Sequence, residues 1–83
     1  MPHADRQAAF KTRVRGWAER VRVKPTQVRV QQMTRKWASC SPRGWCTFAE
    51  DLLEEAHLFQ DYVIAHELLH LKVRNHGRLF RSL

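Results

Sequence analysis

Tyr62-Val63-Ile64-Ala65-His66-Glu67-Leu68-Leu69-His70-Leu71 reads as a helix with two different sides. Ile64, Leu68 and Leu71 recur at spacings of four and three, the period of a helix face that buries itself against a sheet. His66 and His70 stand one turn apart on another side, so both imidazoles can reach one tetrahedral ion. Glu67 sits beside them, where a carboxylate can hydrogen-bond a metal-bound water and take its proton. Asn75-His76-Gly77 follows, and Gly77 can end the helix in a left-handed cap. His76 then leaves the helix end as a third ligand, and the fourth position stays open for water, as catalytic zinc requires. The competing reading is a row of surface helix histidines in a chain that holds five His.

Eighty-three residues support one domain and one small core, because a chain of this size buries only about 60 to 65% of the surface its unfolded form exposes. Scaffolds this small are thinly supplied with core, so a bound zinc would stabilise the fold as well as serve chemistry. No apolar run is long enough to span a bilayer, and Met1-Pro2-His3-Ala4-Asp5 lacks the apolar stretch of a secretory signal, so the chain reads as cytoplasmic. Cys40 and Cys46 match neither a secreted disulfide framework nor a C-x-x-C motif, and read as small apolar residues on short strands. The net charge of +7 is uneven: residues 1–47 hold eleven Lys/Arg against Asp5 and Glu19, whereas residues 48–83 hold four against six acids. A basic half of this kind can bind nucleic acid or another polyanion, or can be a solvated helix face.

Phe10, Val14, Trp17 and Val21 form the apolar stripe of an amphipathic helix from about Ala4 to Arg22, with Arg6, Arg13 and Arg20 aligned on another face. Pro25 ends that pattern. Gln27 to Met33 alternates apolar and polar residues as a half-buried strand does, and Trp37–Ser41 and Trp45–Phe48 flank the turn chemistry of Pro42-Arg43-Gly44. These two form a hairpin in which Trp37, Cys46 and Phe48 are expected to share the core face, and the tryptophans are read as core. From Glu50 onward helix is the default, broken near His57. The order is α-β-β-β-α, an α+β domain with an N-terminal helix, a three-stranded sheet and the motif helix last. An exposed strand edge beside the metal can accept an extended peptide through main-chain hydrogen bonds.

Arg35-Lys36-Trp37-Ala38-Ser39-Cys40-Ser41, the motif helix from Tyr62 to Leu71, Asn75-His76 and Phe80 together resemble the YgjP-like metallopeptidases, relatives of the SprT-like and minigluzincin-type zincins. The resemblance covers about residues 28–80. It implies a small zincin-like domain with one zinc per chain, His66, His70 and His76 as ligands, Glu67 as the base and a peptide bond as the substrate. Ala38 stands where the family usually has Gly, and Ala49 where it commonly has Asn near the strand end. Relatives usually continue into a further helix beyond the position of Leu83, so the single domain at 1–83 reads as shortened at its C-terminus.

The expected activity is zinc-dependent hydrolysis of peptide bonds by a metal-bound water, with Glu67 as general base. Tyr62 and Arg78 are candidates by position to donate to the developing oxyanion, and Glu54, Glu55 and Asp61 to orient the ligand imidazoles. Two alternatives compete: hydrolysis of nucleotides or other phosphoanhydrides at the same metal, and a basic nucleic-acid-binding module with a structural or inactive zinc site.

Overall fold

The computed structural model of the chain describes residues 2–75, with side chains from Asp5 to Val73. Helix α1 (Pro2–Val21) is followed by strands β1 (Gln27–Gln31), β2 (Ala38–Cys40) and β3 (Trp45–Ala49), a 3-10 turn (Glu50–Glu54) and helix α2 (His57–Asn75). The expected α+β order is therefore present, and the break before α2 falls at residues 55–56. Among the described residues no helix is long and apolar enough to cross a membrane.

α1 stops at a left-handed residue: Arg22 has φ 66° and the Val23 N–H reaches back to the Ala18 carbonyl at 3.0 Å. That six-to-one bond satisfies a carbonyl of the last turn and turns Val23 into the core. A second left-handed residue, Gly44 at φ 88°, shapes the β2–β3 connection. Gly44 N–H donates to the Ser41 carbonyl and Ser41 N–H to the Trp45 carbonyl, each at 2.9 Å. Pro42-Arg43-Gly44 is thus a three-residue hairpin loop with a glycine bulge, as its turn residues imply. Ala38 is not among the positive-φ residues, so its backbone has no need of the glycine that the family resemblance suggests.

The sheet order is β1-β3-β2, with β2 antiparallel and β1 parallel to β3. Val28 lies opposite Cys46 and Val30 opposite Phe48; from the other side Ala38 meets Phe48 and Cys40 meets Cys46. These residues face the helices. Phe10, Val14 and Ala18 of α1 and Ile64, Leu68 and Leu71 of α2 close the core over them, and the Phe10 ring meets Phe48 edge-on at 5.2 Å. Burying each of the three α2 side chains contributes about 1.5–3 kcal/mol relative to exposure. Trp17 and Val21 are partly buried against the same cluster.

The alignment of Trp37 with Cys46 and Phe48 is corrected. Trp37 stands one residue ahead of β2, Ala38 takes the inner position opposite Phe48, and Trp37 remains 40% exposed. Trp45 is 41% exposed on the sheet's other face, so of the three tryptophans only Trp17 packs against the core.

Two arginines of the α1 row, Arg6 and Arg13, are structural. Arg6 bonds Glu54 at 2.8 Å, and Arg13 donates to Asp61, to Gln60 Oε1 at 2.5 Å and to the His57 carbonyl at 3.3 Å. Gln60, the one buried polar side chain among the described residues, passes the bonding on to the Leu53 and Glu55 carbonyls. α1 and the start of α2 are locked through this network.

Candidate active site

The helical period of α2 separates its two tasks. While Ile64, Leu68 and Leu71 hold the helix on the sheet, His66, Glu67 and His70 turn toward a cleft of about 590 Å3 between α2 and β2. The Nε2 atoms of His66 and His70 lie 3.0 Å apart. Two imidazole ligands on one tetrahedral zinc, each at about 2.0–2.1 Å, hold their nitrogens about 3.3 Å apart. The observed separation is close to that value, so the two donors fit a zinc ion by type and spacing. Among the described residues no group of three His, Cys, Asp or Glu converges on such a point. His76, expected as the third ligand, lies outside the described residues, as do Gly77, Arg78 and Phe80.

One wall of the cleft is a file of rings that sequence reasoning had not assembled. Trp37 meets Phe59 edge-on at 5.2 Å, Phe59 stacks with Tyr62 at 6.4 Å, Tyr62 stacks with His66 at 5.8 Å, and His66 meets His70 edge-on at 4.5 Å. The signal was in the spacing, since residues 59, 62, 66 and 70 follow one another by three, four and four along one helix face. Stacking limits the swing of the His66 ring, which otherwise stands exposed.

The opposite wall is β2, an outer strand of the sheet. The Trp37 carbonyl accepts from Ala49 N–H and Ser41 N–H donates to Trp45, so both point at β3. By the alternation of an antiparallel ladder, Ala38 directs its own N–H and C=O to the other side. Ala38, Ser39 and Cys40 all line the cleft.

Beneath this wall the Cys40 and Cys46 sulfurs are in contact at 2.6 Å, both buried, as expected of small residues on short strands. The Cys40 thiol pulls the Cys46 thiol below its ordinary pKa, against burial and the negative charge of Glu67. Two carboxylates proposed to orient the imidazoles do not face them: Glu54 is bonded to Arg6, and Asp61 to Arg13 and to the Trp17 indole. Both tie the turn and α2 to α1 instead. His57 is exposed at the far end of α2, with its carbonyl held by Arg13. At Ala49 the 3-10 turn begins without a side-chain cap, the bond an Asn there is able to supply.

A family model described as YgjP-like, metallopeptidase domain, matches residues 3–83. The chain belongs to the YgjP-like family. Membership makes it a domain of a metallopeptidase family, for which a metal is implied and a peptide is the substrate at the coarsest level. No curated protein and no solved structure matches the chain.

Proposed function

We propose that this YgjP-like domain is a zinc-dependent peptidase in which His66, His70 and His76 hold the metal and Glu67 is the general base. The observation that carries the reading is the convergence of the His66 and His70 Nε2 atoms, with Glu67 beside them, in a cleft whose other wall is an outer strand. Bound zinc supplies a Lewis acid that polarises a carbonyl and lowers the pKa of water toward about 7. Glu67 takes the proton of the attacking water and returns it to the leaving amine. Ala38 pairs its main-chain groups with an extended substrate, which lays the scissile bond across the cleft toward the two histidines. Tyr62 stacks on the His66 ring and limits its rotation, which would keep that imidazole placed for a bound ion.

A peptide suits this cleft better than a phosphoanhydride. Among the described residues that line it, Lys36 is the one cation, while an outer strand and an aromatic wall match an extended backbone with apolar side chains. The test begins with the metal content of protein purified without added metal, measured by elemental mass spectrometry beside His70→Ala. One zinc per chain, lost in the variant, supports the ligand set; zinc retained in the variant overturns it. Glu67→Gln should keep the zinc and lose peptide hydrolysis by at least about a hundredfold. Full activity in that variant would remove Glu67 from the mechanism.

A further inference from the structure

Residues 20–49 hold seven Lys/Arg and no Asp or Glu, whereas the other 53 residues hold eight of each, so the whole net charge of +7 belongs to one segment. In the fold that segment is the end of α1, the sheet and its connections. Both helices pack on one face of the sheet, the face of Val28, Ala38, Cys40, Cys46 and Phe48. By strand alternation the opposite face carries Gln27, Arg29, Gln31, Ser39, Trp45 and Thr47, and it has no acid.

Three features of this outer face point the same way. Trp45 stands 41% exposed among polar neighbours, with the Arg29 guanidinium 5.9 Å from its ring centre. Arg43 is exposed in the hairpin loop next to it. Toward the other end of the strands, Arg35 and Lys36 join Gln31, Met33, Ser39 and Thr47 around a shallow groove. Unlike Arg6 and Arg13, which are engaged by Glu54 and Asp61, these cations have no carboxylate in salt-bridge contact among the described residues.

We propose that the outer face of the sheet binds single-stranded nucleic acid, one base stacking on Trp45 and the flanking phosphates meeting Arg29, Arg43, Arg35 and Lys36. A stacking platform among cations is the arrangement by which sheets hold unpaired bases, whose faces are accessible only when the strand is single. In a duplex the base faces are already stacked on one another and are not open to Trp45, and one exposed indole is too little apolar surface for a lipid bilayer. The site centres on the opposite side of the sheet from the core; Lys36 borders both surfaces, but neither histidine nor Glu67 takes part, so its test reads separately from the peptidase reading.

The test is fluorescence anisotropy with labelled oligothymidine, oligouridine and a duplex, each of about 20 nucleotides or pairs, at about 50 mM salt. Both single strands, or either one, should bind at least about tenfold more tightly than the duplex, and affinity should fall with salt by about 0.7 in log–log slope per phosphate contacted. Trp45→Ala should weaken binding about tenfold, and Arg29→Ala with Arg43→Ala should flatten the salt slope. Ultraviolet cross-linking of the unaltered chain to an iodouracil oligonucleotide should place the adduct on the peptide that contains Trp45. Absence of binding, equal binding of the duplex, unchanged affinity in folded Trp45→Ala, or adducts elsewhere would each overturn the proposal.

Discussion

Arg13 of α1 and Asp61 of α2 form an ion pair that Trp17 shares, its indole N–H donating to the same carboxylate oxygen at 3.1 Å. Burial works against the Asp61 charge, but the bonds from Trp17 and Arg13, and the positive charges of Arg13 and His57, outweigh it and hold the carboxyl below its ordinary pKa. A carboxyl lowered in the folded state stabilises the fold above its unfolded value of about 3.9, and that contribution disappears as pH falls through the folded value. Asp61→Asn should therefore cost about 1 kcal/mol near neutral pH, a figure kept small because the pair is partly exposed. In a domain of this size that is a melting-temperature loss of about 4–8 °C. The gap between the two proteins should narrow as pH falls through the lowered folded-state pKa of Asp61; a gap that persists at the acid end would show that the charge is not its source.

The ring file from Trp37 to His70 makes a second prediction. Tyr62→Ala removes the surface on which the His66 ring stacks, so zinc affinity, read by competition with a chromophoric chelator, should fall by about tenfold while the fold is retained. Tyr62 is 64% exposed, so its loss leaves the core untouched. Unchanged affinity would mean that the ring is held by its own helix alone.

Arg22 carries a side chain where the chain turns left-handed, at a cost of roughly 1–2 kcal/mol. Arg22→Gly relieves that strain while keeping the Val23–Ala18 bond, and should raise stability by about 0.5–1 kcal/mol in a denaturant titration. A loss of stability would show that the arginine side chain contributes more than its backbone costs.

Gly44 answers the opposite question. A Cβ at this position would sit 2.8 Å from Thr26 Oγ1 and 3.1 Å from Thr26 N, in a backbone conformation that side chains rarely adopt. Gly44→Ala should destabilise the domain by about 1–3 kcal/mol, measured by the same titration. Thr26→Ala in the same background removes the nearest obstructing atom and should return only part of that loss, because the φ of 88° remains.

Much of this architecture was legible because its signals are local. The α2 period separates Ile64, Leu68 and Leu71 from His66 and His70 without reference to the rest of the chain, and Pro42-Arg43-Gly44 specifies its own loop. Trp37 and Trp45 were misread, unlike Trp17, because alternation fixes a face only within a strand. Trp37 lies just outside β2, and Trp45 lies on the phase of β3 that the helices leave uncovered. The parallel pairing of β1 with β3 had no local signal either, since partners 18 residues apart meet only through the tertiary fold. The bonds of Glu54 and Asp61 to α1 were hidden for the same reason.

The Gly44 carbonyl accepts the Thr26 N–H at 2.8 Å and the Gln27 N–H at 3.4 Å, and the Thr26 hydroxyl donates to the Arg43 carbonyl at 2.7 Å. The loop that closes the hairpin is therefore also the ledge on which β1 starts. β2 and β3 are joined by four residues, whereas β1 pairs with β3 only across the longer segment 32–44, whose closure must be met in entropy before any bond forms. The cheaper sequence of events is hairpin first, then β1 zipping along β3 from Gln27 toward Gln31. On this argument Gly44 is expected to be ordered early in folding and Gln31 late. Substitutions at the loop should slow refolding, while those at Gln31 should act mainly by speeding unfolding.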